Sequence, residues 1–217
     1  MRKPVTTELL ETLICVLEAD DPNMDGHSLH VCKLTMLLYE YLPLNQRWGI
    51  DPEYLTYASL FLDIGKHGVP GRLLHQGGKL GEEEWKAMKR HPEIAAQILE
   101  PIGDFRRCVD WIRYHHERID GTGYYHLKGD EIPLPARMIA VADTYSSITM
   151  ERSYKPTMAH EDALSELRHV AGKQLDANLV EVFCGIPEHR ILACDAEVRE
   201  KIERYQKLIE QPMNNSV

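Results

Sequence analysis

Nowhere in the chain do two cysteines stand at the Cys-x-x-Cys spacing of a zinc finger or a redox pair. The five that occur (Cys15, Cys32, Cys108, Cys184 and Cys194) are scattered and odd in number. Cys15 sits in Leu13-Ile14-Cys15-Val16-Leu17, where a small core side chain fits better than half a disulfide. Such usage suits a reducing, cytoplasmic compartment. Also missing is any apolar run long enough to cross a bilayer. Met1-Arg2-Lys3-Pro4 has none of the apolar stretch behind it that a signal peptide carries. Positive charge is in deficit. The formal net charge of −9 sets the overall field against general nucleic-acid binding and against anionic membranes. A small anionic substrate would need a local cluster of Lys and Arg, or bound cations. No segment alternates apolar and polar residues as a half-buried strand does, and no repeat, low-complexity tract or linker is visible.

What is present is helical periodicity. At 217 residues and 43% hydrophobic content the chain can bury one full-sized core. The pattern predicts an all-α protein, one domain over 1–187 with a C-terminal helical extension over 188–217. Thr6 or Thr7 can cap a first helix carrying Leu9, Leu10, Leu13, Ile14 and Leu17, ending near Asp20-Asp21-Pro22-Asn23. A second helix starts at His27-Ser28, aligns Val31, Leu34, Leu38 and Tyr41, and stops at Pro43. Asp51-Pro52 opens a third, expected to run through Leu62 to Asp63. Residues 65–80 are rich in glycine and read as a long irregular loop. Glu82-Glu83-Glu84 suits the first turn of a helix that reaches His91, where Pro92 marks a new start. One helix is expected from about Asp104 to His115-His116, then a glycine-rich loop, then an apolar helix from Ala136 to about Ile148 with Asp143 in its middle. Further helices are expected over His160–Val170, over Ala177–Cys184 with Gly185 as a closing cap, and over Ala196–Gln211. In that last helix Val198, Ile202, Tyr205 and Ile209 form a narrow seam beside the pairs Glu197/Lys201, Glu200/Arg204 and Glu203/Lys207. The seam reads as packing on the domain, with a homodimer through it as the alternative.

Chemistry concentrates at helix ends. His27, Asp63, His91 and the adjacent pair His115-His116 lie beside expected helix ends or breaks. Asp143 lies within the apolar run Met138-Ile139-Ala140-Val141-Ala142 and needs a buried partner. Mixed imidazole and carboxylate donors without cysteine favour Fe, Mn or a similar first-row ion over structural zinc. A carboxylate can bridge two ions about 3.5–4 Å apart, a recurring solution for phosphoester hydrolysis.

The motifs resemble the HD-GYP family, the branch of the HD superfamily of metal-dependent phosphohydrolases that hydrolyses the bacterial second messenger cyclic di-GMP. The matching stretches are Glu18-Ala19-Asp20-Asp21-Pro22 leading to Gly26-His27-Ser28, Asp63-Ile64-Gly65-Lys66-His67-Gly68-Val69-Pro70, Glu83-Glu84-Trp85, Met88-Lys89-Arg90-His91-Pro92-Glu93, His115-His116-Glu117-Arg118-Ile119-Asp120-Gly121-Thr122-Gly123-Tyr124, Val141-Ala142-Asp143 and Arg152-Ser153-Tyr154-Lys155. The resemblance implies His27, Asp63, His91, His115, His116 and Asp143 as ligands of two divalent ions, with Asp63 bridging. It implies Lys66 beside the scissile phosphate, Tyr124 in the loop that helps to name the family, and Arg152 and Lys155 as phosphate-holding groups. Three departures stand out. Leu62 replaces the histidine of the His-Asp doublet, Tyr125 replaces the loop proline, and Asn23 stands where some members carry an acid. His30 and His67, nearby in sequence, read as surface histidines, with compensation for the missing ligand as the alternative. Two functions follow: a cyclic-dinucleotide phosphodiesterase, favoured by the retained ligand set, or a silent module that binds the dinucleotide or a partner protein without cleavage, favoured by Leu62. Another phosphoester substrate is a third reading.

Overall fold

The computed structural model describes residues 7–18, 26–74, 81–150 and 157–209. Its helices in chain order are α1 (Thr7–Glu18), α2 (His27–Tyr41), the single turn α3 (Leu44–Arg47), α4 (Pro52–Leu60), the single turn α5 (Gly71–Leu74), α6 (Glu82–Met88), α7 (His91–Leu99), α8 (Val109–Arg113), α9 (Leu134–Thr149), α10 (His160–Val170), α11 (Ala177–Cys184) and α12 (Glu188–Ile209). Among the described residues no strand forms beyond an isolated bridge between Ala171 and Leu175, so the all-α expectation holds. No helix there is long and apolar enough to cross a membrane.

The core is built on α2 and α9. Leu29, Val31, Leu34, Leu37 and Leu38 are buried around most of the circumference of α2, and Met138, Ile139, Val141 and Ala142 do the same for α9. A helix that is apolar nearly all round belongs at the centre of a bundle. Each buried leucine contributes about 1.5–3 kcal/mol relative to exposure, which holds these two helices together while their polar residues turn toward one end. The described cysteines are all free thiols.

Several boundaries differ from expectation for local reasons. α4 stops at Leu60, and Leu62 and Asp63 lie in a turn that leads into a 3-10 helix over Ile64–Gly68. The helix expected from Asp104 to His116 divides into a 3-10 turn at Phe105–Arg107 and the short α8. Phe105 stacks on Tyr57 with ring centroids 5.1 Å apart and meets Phe61 edge-on at 5.2 Å, which pins that first turn to α4. His115 and His116 therefore occupy the turn after α8. Tyr41 is 37% exposed rather than part of the buried face of α2. Gly185 closes α11 at φ −87°, without a left-handed cap.

α12 begins at Glu188 rather than Ala196, and its seam is occupied by the chain's own helices. Val198 is buried, and Ile202 and Tyr205 pack on the core. The Tyr205 hydroxyl lies 2.7 Å from Thr12 Oγ1. Lys201 pairs with Glu11, and Glu197 with Lys33 at 3.1 Å, so the expected Glu197/Lys201 pair gives way to contacts with α1 and α2. The described part of the seam thus packs on the domain, with Val198 buried and Ile202 and Tyr205 partly so, which is the first of the two expected readings. The Ile209 side chain lies outside the described part.

Candidate metal centre

Each polar group reaches the site through a local device. Gly26, at φ 75°, turns the chain into α2 so that His27 is its first residue. Gly65 allows the 3-10 helix to lie directly on α7. A Cβ there would meet the His91 carbonyl oxygen at 1.9 Å and the Ala95 nitrogen at 2.6 Å. That contact sets Asp63, two residues earlier, beside His91, the first residue of α7.

The rings are oriented by backbone carbonyls. His91 Nδ1 donates to the Met88 carbonyl at 2.8 Å, and His115 Nδ1 to the Ile112 carbonyl at 2.6 Å. A neutral ring whose proton is on Nδ1 presents a bare lone pair at Nε2. His91 Nε2, His115 Nε2 and Asp63 Oδ1 are buried and have no hydrogen bond among the described residues. His91 Nε2 nevertheless lies 3.2 Å from Asp63 Oδ1, so with that ring neutral two acceptors face each other. An orphaned buried acceptor costs about 1–3 kcal/mol, and a shared cation is the partner that would satisfy both. Donor atoms of Asp63, His91, His115 and His116 all fall within 4.8 Å of one another.

A second group joins them across Asp63. His27 Nε2 lies 3.0 Å from Asp143 Oδ1 and 3.8 Å from Asp63 Oδ2, and Asp143 also accepts from Ser147 Oγ at 3.3 Å. The mid-helix carboxylate thus has the partners it required. Lys66 Nζ is 2.7 Å from Asp63 Oδ2. The six expected ligand positions are brought together, and their donors fit divalent cations.

Electrostatics agree. Burial alone would raise the Asp63 carboxyl, but Lys66, His91 and His27 outweigh it and hold it well below the usual range. Burial opposes ionisation of Asp143 too, and the hydrogen bond from His27 overcomes it. Burial and the neighbouring His91 push His115 down to about 4, while burial and His115 hold His116 well below its ordinary value. Two neutral imidazoles and two carboxylates are the ionisation states that cation binding needs.

An open cleft of about 380 Å³ adjoins these groups, its lining including Trp85, Lys89, His116, Arg118, Tyr124 and Asp143. Tyr124 packs against His116 at 4.9 Å between centroids, and Lys89 Nζ lies over the Tyr124 ring at 5.2 Å and the Trp85 ring at 5.6 Å. Sequence reasoning gave Trp85, Lys89 and Arg118 no role. The spacing of Trp85 and Lys89, one helical turn, was the available signal. Burial, with Asp63 and Asp143 nearby, pushes the Tyr124 phenol up to about 12.

The loop that follows His116 is held by Glu117, whose buried carboxylate accepts from Tyr125 N at 2.6 Å and Leu127 N at 2.7 Å. Tyr125 therefore does not loosen the loop, since it supplies a backbone N–H that proline lacks. Arg118 ties the same loop to Thr122 at 2.8 Å and to Gln174 at 2.9 Å. Leu62 is fully buried in the apolar core. His67 is exposed as expected, but His30 is only 1% exposed and is not a surface residue. Arg152, Lys155 and Asn23 lie outside the described residues.

Comparison with known proteins agrees with this geometry. A cyclic di-GMP phosphodiesterase of Vibrio cholerae is 35% identical over 190 residues, covering 82% of this chain and 39% of that protein. A cyclic di-GMP phosphodiesterase of Thermotoga maritima is 32% identical over 201 residues, 90% of this chain and 52% of its own length. The chain thus spans about half or less of these two relatives. Among solved structures, a cyclic GMP-AMP-specific phosphodiesterase of V. cholerae superposes with a TM-score of 0.62 at 17% identity, covering 95% of this chain and 53% of that one. An HD-GYP-type protein of Bdellovibrio bacteriovorus superposes with a TM-score of 0.59 at 19% identity, over 83% of this chain and 61% of its own. Both show the shared fold. The family model for the HD domain matches residues 11–179, and with the histidines and aspartates of that fold gathered at one end of its bundle, the chain belongs to the HD domain family.

Proposed function

We propose that this chain is a metal-dependent phosphodiesterase acting on cyclic di-GMP or a related cyclic dinucleotide. The observation that carries the reading is the convergence of buried acceptors, Asp63 Oδ1, His91 Nε2 and His115 Nε2, with no hydrogen bond among the described residues, at one end of the bundle. Asp63, His91, His115 and His116 would hold one ion, and His27, Asp63 and Asp143 the other, with Fe or Mn matching the donor set. Bound cations would supply a Lewis acid for the phosphodiester and make water acidic enough to attack at neutral pH. The chain's own groups do the rest. Lys66 offsets the charge of Asp63 and stands ready for charge developing on phosphate. Trp85 and Tyr124 offer ring faces on which a nucleobase can stack, and Lys89 adds positive charge to the cleft. Arg152 and Lys155 would complete the phosphate contacts. The domain would span 1–187 with 188–217 as its helical extension, working in the cytoplasm as free thiols suit. A homodimer through α12 would use its outer charged face.

Metal content of the purified protein, measured with hydrolysis of cyclic di-GMP and of 3′3′-cGAMP in added Mn²⁺ or Fe²⁺, tests the reading. Two ions per chain with turnover are expected. One ion or none, with dinucleotide bound but uncleaved in excess metal, would establish the silent module, which Leu62 supports. Leu62→His is expected to raise occupancy of the site that contains His27.

A further inference from the structure

Ser146 is fully buried in α9, and its hydroxyl lies between two imidazoles. His27 Nδ1 is 2.9 Å away and His30 Nδ1 is 3.0 Å away. On the far side of His30, Nε2 is 2.5 Å from Asp195 Oδ1, and among the described residues neither of these two atoms has a hydrogen bond. Asp195 belongs to α12, so an unbroken row of polar groups leads from the metal centre to the C-terminal helix. The same helix touches the entry to α2 directly. A Cβ on Gly26 would meet Ile202 Cδ1 at 1.9 Å and Val198 Cγ1 at 3.0 Å.

Ser146 Oγ also lies 3.3 Å from Met150 Sδ, a weak acceptor. One hydroxyl carries one proton, so Ser146 can donate to only one of these three neighbours, and any imidazole it does not serve must donate to it. The two rings are therefore coupled. If a cation takes His27 Nε2, the proton of that neutral ring resides on Nδ1 and points at Ser146. Asp195, 2.5 Å from His30 Nε2, holds the proton of a neutral His30 ring on that nitrogen, so His30 Nδ1 is bare and Ser146 donates to it rather than to the weaker Met150 sulfur. Every donor in the row then points away from the metal, and the carboxylate of Asp195 is the last acceptor. Partners that fix the tautomer of a ligating histidine commonly contribute 10–100-fold in metal affinity.

From this we infer that His30 and Asp195 are positioning residues for His27, and that α12 is a working part of the metal centre. The inference rests on the proposed metal-dependent function. It also accounts for a fully buried imidazole that the site chemistry does not otherwise use.

The test uses the full chain and Zn²⁺ as a diamagnetic probe, with Mn²⁺ in parallel. Binding affinity is measured by competitive titration, and ring tautomers by long-range proton–nitrogen NMR on protein labelled at histidine nitrogen. Wild type is expected to bind with His27 protonated at Nδ1 and His30 at Nε2. Asp195→Leu should weaken the His27-containing site by about 10-fold or more. Asp195→Asn, nearly isosteric, can turn its amide N–H toward His30 and should abolish the tautomer preference. Glu197→Ala breaks a different α12 contact and should leave both readouts unchanged. Wild-type affinity and tautomers in both Asp195 variants would overturn the inference alone, as would Glu197→Ala weakening binding as much as Asp195→Leu. Wild type that binds no ion would bring down the functional reading and the inference together.

Discussion

Replacing Gly65 by alanine probes how the site is assembled without touching a polar group in it. The added Cβ would sit 1.9 Å from the His91 carbonyl oxygen and 2.6 Å from the Ala95 nitrogen, where ordinary contact begins at 3.4 Å. Both obstacles are helix backbone, so no side-chain rotation relieves them. The 3-10 helix and α7 must separate by roughly 1.5 Å, and overpacking of this kind costs about 1–3 kcal/mol. For a domain of this size that corresponds to a fall in Tm of roughly 2–12 °C. The separation also moves Asp63 from His91, a pair 3.2 Å apart, and an error of that size in ligand placement should weaken Mn²⁺ binding by about 10–100-fold. The assay is thermal unfolding of chelator-treated protein followed by Mn²⁺ titration. Gly103→Ala, with no described residue within 4 Å of its Cβ, serves as control. A Gly65→Ala protein with wild-type Tm and affinity would refute the close-packing account of how Asp63 is placed.

Three other outcomes are expected. Tyr125→Pro removes a donor to the Glu117 carboxylate and should destabilise the protein by about 1.5–3 kcal/mol in denaturant melts, whereas Tyr125→Phe keeps the N–H and should cost less. In metal-free protein the His115 ring takes a proton near pH 4 when folded and near 6.5 when unfolded. Stability it contributes is therefore complete above pH 6.5 and lost as pH falls toward 4, on the order of 3 kcal/mol at about 1.4 kcal/mol per pH unit, and His115→Gln should flatten that limb of the stability profile. Glu18 acts in the opposite direction. Burial pushes its carboxyl from 4.5 up to about 8, so its contribution is complete below pH 4.5 and lost as pH rises through 8. The loss is about 2 kcal/mol by pH 6 and about 5 kcal/mol by pH 9, so in metal-free protein the advantage of Glu18→Gln over wild type should grow by about 3 kcal/mol between those two pH values.

The large helices were legible because burial on one face, or all round, writes itself as spacing, as in α2 and α9. The metal-centre residues were legible for a different reason, because costly polar groups stood in apolar runs and beside Gly and Pro at expected helix ends. What could not be read depends on partners remote in sequence. The break between Phe105–Arg107 and α8 comes from Phe105 packing on Tyr57 and Phe61. The first turns of α12, over residues 188–195, offer mainly Ile191 and Leu192 as apolar signal, too few to show a period. Glu117 resembles any acid in a glycine-rich loop until its two backbone donors are seen. His30 is like any polar residue on a helix until Ser146 and Asp195 close around it.

The Glu117 anchor has a consequence for how such a site can diversify. Its partners at residues 125 and 127 are main-chain amides, and every amino acid except proline supplies one. These two anchors of the loop are thus independent of the side chains at those positions, and the Tyr125 ring adds contacts of its own, edge-on to Tyr114 at 5.4 Å and 3.3 Å from Glu93 through its hydroxyl. Those side chains can be exchanged, by selection or by library design, while the carboxylate keeps the backbone in place. Libraries at 125 and 127 that leave out proline and retain Glu117 should return a high fraction of folded proteins, with Tyr124 still lining the cleft beside His116.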